Sequence, residues 1–176
     1  MSSNVSRRNF LKSSVATGLV LASPLAMPGL SRAASRPQIT HGLQSGDVNA
    51  NSGMIWARSD RPAQMLVEVD TTGTFETPRR LAPINALPDS DFAVKRLLEN
   101  LPSDQEVFYR VAFANLNDVN AVSEPITGRF RTAPASRRNI RFAWSGDTAG
   151  QGWGIDTDRG GMKTYATMAK HQPDFF

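Results

Sequence analysis

The sequence predicts an all-β sandwich of the immunoglobulin or fibronectin type III kind, followed by the start of an α/β domain. Between residues 38 and 132, roughly seven short segments rich in β-branched and aromatic residues alternate with turn residues, a spacing typical of such sandwiches. After residue 139 the pattern becomes strand, glycine-rich loop, helix and strand, the order that opens an α/β unit. A polar linker at residues 133–138 separates the two patterns.

The individual strands are predicted from alternation and residue type. Met65, Val67 and Val69 alternate with less apolar neighbours, which indicates a strand with one buried face. Residues 107–113 form the clearest strand because β-branched and aromatic residues crowd it. Further strands are predicted at residues 54–58, at 92–98, where a helix is the alternative, and at 126–132.

A corner of the sandwich is predicted just before the strand at residues 107–113. Leu101 and Pro102 resemble the fibronectin-type corner, where Leu-x-Pro leads into a strand that carries a tyrosine. Val107 occupies the usual place of that tyrosine, and Tyr109 follows two residues later. Because alternate side chains of a strand share a face, we predict a modified corner with both residues facing the same way.

The N-terminus has the pattern of an export signal. Arg7 and Arg8 precede Phe-Leu-Lys and an apolar stretch at residues 15–30, and small residues at both ends of 31–33 form a cleavage site. The paired arginines match the twin-arginine pattern. The apolar stretch is short and contains prolines, so we expect no stable membrane anchor. The alternatives for residues 1–33 are a basic amphipathic helix or a retained anchor.

The net charge of +4 does not indicate a nucleic-acid-binding module. Four of the 20 basic residues lie in the first 33 positions, and the first acidic residue is Asp47, so the remaining 16 bases balance all 16 acids. A neutral body offers no broad surface for phosphates. Cysteine is absent, which excludes disulfides and thiolate metal sites.

Asp147 is the main candidate for chemistry. It follows the predicted strand at residues 140–144, and ligand sites of open α/β sheets lie outside the carboxyl ends of strands. Glycines at positions 150, 152 and 154 would let backbone and substrate approach closely. A carboxylate in this position is typical of the beginning of a metal site. The alternative is an aspartate that caps a turn.

Four stretches give the chain a family resemblance. Residues 141–154, RFAWSGDTAGQGWG, are similar to the opening of the catalytic domain in PhoD-like phosphatases, the alkaline phosphatase D family of metallophosphoesterases. Residues 171–176, HQPDFF, resemble the segment that leads there to a second Gly-Asp motif. Residues 42–48 and 53–58 look like that family's N-terminal β domain.

The resemblance implies three parts: a twin-arginine signal at 1–33, a β-sandwich at 34–134 and the incomplete start of a metallophosphatase domain at 139–176. It implies a secreted or periplasmic phosphatase or phosphodiesterase that hydrolyses phosphate esters with calcium and iron, exported by the twin-arginine translocase. Asp147 would be a metal ligand, in place of the cysteine that some members carry near this point. A carboxylate favours harder ions. Ala149 replaces the histidine of the Asp-x-His motif common in metallophosphoesterases.

The later Gly-Asp motif and the metal-binding histidines of the family would lie beyond Phe176. We therefore expect this chain to be an inactive fragment with one clear ligand. The alternative is a secreted, non-catalytic β-sandwich that serves as a binding or structural module.

The remaining polar candidates and Trp153 have these expected roles: His41 and His171 are structural or solvated, Asp47 is part of a turn, Asp156 and Asp158 are loop carboxylates, and Trp153 either flanks the site or packs against the sandwich.

We predict that replacing both Arg7 and Arg8 by lysine leaves the precursor in the cytoplasm, because the twin-arginine pair is the address of that export route. A folded reporter fused after Ala33 and assayed in periplasmic and cytoplasmic fractions measures this. Export of the lysine variant, or export of an unfolded reporter only, would contradict the assignment.

Overall fold

The computed structural model of the chain describes residues 35–148 and 155–176, and the predicted export signal lies outside them. Eight strands are present in the described part: β1 (Ile39–Gly46), β2 (Gly53–Ser59), β3 (Ala63–Asp70), β4 (Arg79–Arg80), β5 (Ile84–Ala86), β6 (Ala93–Leu98), β7 (Glu106–Asn115) and β8 (Ile126–Arg131). A short 3-10 helix, Pro88–Ser90, joins β5 to β6, and α1 (Lys163–Lys170) is the α-helix of the second part. No helix among these residues has the length and apolar character to cross a membrane.

The strands form two antiparallel sheets. One contains β1, β2 and β6 in that order, and the other contains β4, β3, β7 and β8, with β5 also paired to β3. The central pair is β3 with β7, which are in register from Ala63 opposite Asn115 to Asp70 opposite Phe108. The predicted β-sandwich is confirmed, and residues 93–98 form a strand rather than a helix.

The core lies between the two sheets and follows the alternation in the sequence. Buried and half-buried residues alternate along β2 and β3 without interruption. In β7, Val107 and Tyr109 are both buried and face the same side, as the modified corner requires. The larger apolar members of the core are Ile55, Met65, Val67, Val69, Val94, Leu98, Leu101, Val107, Tyr109, Val111 and Phe113.

The ring of Tyr109 depends on a glycine in the neighbouring strand. Gly128 lies opposite Tyr109 in the β7–β8 register, and a Cβ atom at position 128 would stand 2.3 Å from the Cζ atom of Tyr109. Phe130 lies beside the same ring, with centroids 6.0 Å apart. Burial raises the pKa of the Tyr109 hydroxyl, and a hydrogen bond with Ser45 partly offsets this. Because residue 128 is glycine, the ring of Tyr109 can lie over β8.

The chain leaves β8 through a buried, hydrogen-bonded residue. Thr132 is 1% exposed; its Oγ1 donates to the carbonyl of Pro102 at 2.7 Å and accepts from the amide of Gln105 at 3.0 Å. The next amide, of Ala133, donates to the carbonyl of Asn49 at 2.9 Å. These bonds fix the point at which the linker begins.

We predict that Gly128→Ala destabilises the sandwich by about 1–3 kcal/mol, the usual cost of forcing extra volume into a packed site. Gly46→Ala is the matched control, since a Cβ atom there meets nothing within 4 Å and its effect is expected to stay within about 0.5 kcal/mol. Urea unfolding followed by circular dichroism measures both variants. Equal stability of the two would show that the ring of Tyr109 moves aside without cost.

Candidate metal-ligand site around Asp147

The segment that leads to Asp147 pairs with the end of the chain. Phe142 and Phe175 form an isolated parallel bridge, in which the amide of Ala143 donates to the carbonyl of Phe175 at 3.1 Å. The rings of Phe142 and Phe175 stack with centroids 5.6 Å apart. A parallel pairing of segments on either side of α1 is the geometry expected for a strand–helix–strand unit.

The strand predicted at residues 140–144 is wrong in extent, because only this bridge forms. Phe142 and Trp144 are 58% and 75% exposed, whereas parallel strands are normally covered on both faces. Among the described residues, only the segment around Phe175 pairs with residues 140–144. The local sequence has the residue types of a strand, but the segment around Phe175 pairs with it at one bridge only, which is too short for a ladder.

The helix α1 contacts both ends of this pairing. It occupies Lys163–Lys170 and confirms the helix predicted after the glycine-rich loop. The hydroxyl of Tyr165 lies 2.6 Å from Oγ1 of Thr148, and its ring meets the ring of Phe176 edge to face at a centroid distance of 5.1 Å. Tyr165 thereby holds α1 beside the residue that follows Asp147.

Asp147 itself is exposed and makes local contacts. Its Oδ1 accepts a hydrogen bond from the amide of Thr148 at 2.8 Å, and its carbonyl accepts one from Oγ of Ser145 at 2.8 Å. Neither contact withdraws the carboxylate from solvent. The glycine-rich loop at 149–154, with Trp153, lies outside the described residues.

The described residues do not fit a complete metal site. Within 35–148 and 155–176, no three aspartate, glutamate or histidine side chains converge where they could hold an ion. Calcium takes six to eight oxygen ligands, so one exposed carboxylate does not retain it. Among the described residues, Asp147 therefore presents a single exposed carboxylate and not a metal site.

The other polar candidates have contacts of a structural kind. Nδ1 of His41 is 2.7 Å from Oγ1 of Thr40. His171 caps the C-terminus of α1, and its carbonyl accepts from the guanidinium of Arg141 at 2.9 Å. Asp47 follows β1 with a φ of 47°, as a turn residue does.

The two loop carboxylates differ from each other. Oδ1 of Asp156 accepts from the amides of Asp158 and Arg159 at 3.1 and 3.2 Å, and its carboxylate also pairs with Arg159. The side chain of Asp158 is exposed. Neither is close to other acidic or histidine side chains that would form a metal-binding group within the described ranges.

Sequence reasoning missed the ion pair of Arg138 with Asp174, in which 2.7 Å separates Nη2 from Oδ1. They are separated by 36 positions, so no local spacing indicates the contact. Asp174 lies in residues 171–176, which resemble the family, but the resemblance does not indicate its ion pair with Arg138.

Comparison with known families identifies the first of the two parts. Residues 7–134, more than half of the chain, match the family described as PhoD-like phosphatase, N-terminal domain. The chain belongs to the PhoD-like phosphatase family. The matched range contains all eight strands of the sandwich.

Solved structures give distant similarities to this chain. A structure of PhoD has 21% identity and a TM-score of 0.47; the match covers 58% of this chain and 21% of that chain, or about a fifth of its length. A redesigned β-sandwich protein has 12% identity and a TM-score of 0.42, covering 56% of this chain and 97% of that one. Domains d3–d4 of the rat CD45 extracellular region have 20% identity and a TM-score of 0.40, covering 55% and 50%. No curated protein matches significantly.

Proposed function

We propose that this chain carries the non-catalytic β-sandwich and the first residues of the catalytic unit of a secreted, metal-dependent phosphatase or phosphodiesterase. The observation that carries the proposal is the family match over residues 7–134. The strand–helix–strand order of residues 139–176 supports a catalytic unit of α/β type, since Phe142 and Phe175 pair in parallel on either side of α1. The substrates of the complete enzyme would be phosphate esters.

In this proposal Asp147 provides one of several metal ligands. It follows the parallel-paired segment and presents an exposed carboxylate, the position in which α/β sheets carry ligand-binding groups. The resemblance implies calcium and iron, and an oxygen ligand suits the harder of such ions. Bound metal ions in such a site activate water and neutralise phosphate charge. Further ligands would come from residues other than those described.

The sandwich would serve as the support of the catalytic unit. Its exit point is fixed, because Thr132 is buried and hydrogen-bonded to the loop before β7. Export by the twin-arginine translocase to the periplasm or beyond is part of the proposal and depends on the signal at residues 1–33.

The proposal and its alternative, a secreted binding module, differ in what the gene encodes after Phe176. A reading frame that continues into a second Gly-Asp motif and later histidine motifs supports the enzyme. A stop codon directly after Phe176 in the genomic sequence supports an inactive fragment or the module.

We predict that Asp147→Asn, made in the protein encoded by the continuing frame, lowers hydrolysis of p-nitrophenyl phosphate and its diester. The loss should be no smaller than the roughly 10–100-fold that removal of an outer-shell metal partner causes. Asp158→Asn is the matched control, because it removes an exposed carboxylate from the same region and should leave the rate unchanged. Full activity of the Asp147→Asn enzyme would remove Asp147 from the ligand set.

A second test of the same proposal measures the activity of the 176-residue chain itself. It should show no turnover above its own Asp147→Asn variant with calcium and iron present, since the described residues hold no ligand cluster. Turnover well above that variant would mean that a working site exists within these residues.

A further inference from the structure

The second part of the chain, residues 139–176 and hereafter the second unit, is attached to the sandwich by polar contacts. In the described part of the chain, the buried core and the side chains packed against it lie between Ile39 and Phe130. The large apolar residues of the second unit are exposed instead: Phe142 by 58%, Trp144 by 75%, Phe175 by 57% and Phe176 by 59%. Within the described residues, shared hydrophobic burial therefore does not set the orientation of the two parts.

Arg138 lies between two carboxylates that belong to different parts. Its Nε is 3.4 Å from Oδ1 of Asp104, in the loop before β7. Its Nη2 is 2.7 Å from Oδ1 of Asp174, just before Phe175. Nη1 also donates to the carbonyl of Asn139 at 2.9 Å. The guanidinium thus spans the gap between the sandwich and the second unit.

On the sandwich side, further hydrogen bonds fix the position of Asp104. Arg131, at the end of β8, donates from Nε to Oδ1 of Asp104 at 3.0 Å and from Nη2 to its carbonyl at 2.7 Å. The amide of Asp104 donates to the carbonyl of Ala133 at 3.2 Å. Asp104 is therefore tied to both the last strand and the start of the linker.

On the other side, Asp174 is part of the pairing that leads to Asp147. Its Oδ2 accepts from the amide of Arg141 at 2.9 Å, and its own amide donates to the carbonyl of Arg141 at 2.7 Å. The next residue, Phe175, accepts from Ala143. Through Asp174, the guanidinium of Arg138 is thus connected to the two segments that pair in parallel.

We propose that Arg138 is a positioning residue that fixes the orientation of the second unit, and with it Asp147, on the sandwich. A planar guanidinium can bind two carboxylates in defined directions, which a lysine ammonium does not do. Single exposed ion pairs add little to stability, so the effect is on orientation rather than on folding. The inference goes beyond the proposed function and holds whether or not Asp147 binds a metal.

The ionisation of Asp174 supplies a pH signature. The hydrogen bond from Arg138, followed by that from the Arg141 amide, lowers the pKa of Asp174 below its ordinary value of 3.8. The charged groups around it are Arg138, Arg131 and Arg141, with Asp104 on the far side of Arg138 and His171 bonded through its carbonyl. Because the folded-state pKa is depressed, the bridge is complete above the ordinary value and is lost as the pH falls through the lowered one.

The test measures the distance between the two parts in the full chain. Cysteine is absent from the sequence, so Lys95→Cys on the outer face of β6 and Ala166→Cys on α1 allow two nitroxide labels to be placed uniquely. Electron–electron double resonance should give one narrow distance distribution for this parent. Arg138→Ala should broaden it several-fold, whereas Arg137→Ala, which removes a neighbouring charge without a recorded ion pair among the described residues, should leave it narrow.

Two further variants separate orientation from unfolding of the second unit. Asp104→Asn leaves the Arg138–Asp174 pair in place and should broaden the distribution while the exchange rate of the Ala143 amide stays unchanged. Asp174→Asn should give the broad distribution at all pH values, whereas the parent should broaden only at pH values below 3.8, the ordinary pKa of an aspartate. A narrow distribution in Arg138→Ala, or equal broadening by Arg137→Ala, would overturn the proposal.

Discussion

Each of the two sheets buries one face fully, and it does so against the other sheet. Met65, Val67 and Val69 of β3 point into the same space as Ile55 and Ala57 of β2. This burial is the main stabilising contribution for a chain of this kind. It sets the register of β3 with β7, because a shift of one residue would expose the whole apolar row. The tight fit of Tyr109 over Gly128 follows from the same requirement.

The outward faces and the linker are consequently left to polar contacts. Glu68 on the outer face of the larger sheet lies between Arg80 and Arg110. Burial raises the pKa of Glu68, but the hydrogen bonds from Arg110 and Arg80 outweigh this and lower it. Arg138 performs the corresponding role between the sandwich and the second unit. Such contacts fix the relative orientation of the groups they join more than they stabilise the fold, since water competes for each charged partner.

The sequence predicted what depends on local pattern. Alternation in residues 65–70 and the residue types of 107–113 were sufficient for β3 and β7, and the paired burial of Val107 and Tyr109 followed from strand geometry. Strand β4 was missed because two arginines carry no alternation, and their strand character comes only from pairing with β3. The overestimated strand at 140–144 has the opposite cause, since its residue types are right but its partners are few.

Of the candidate site, the sequence indicates one residue, Asp147, and its role as a metal ligand stays a prediction. Asp147 follows a strand-like segment, which a local pattern can indicate, whereas a metal site is assembled from residues that are distant in sequence. For the same reason, no local spacing indicates the pair of Arg138 and Asp174, which lie 36 positions apart. The sandwich is a complete folding unit, to which the described residues of the second unit add polar contacts. Urea unfolding of residues 35–134 alone, compared with the full chain, tests it most directly. We expect residues 35–134 to unfold in one cooperative transition, with a free energy of unfolding within about 1 kcal/mol of the full chain, the range of exposed ion pairs. A non-cooperative transition, or a loss of several kcal/mol, would contradict it.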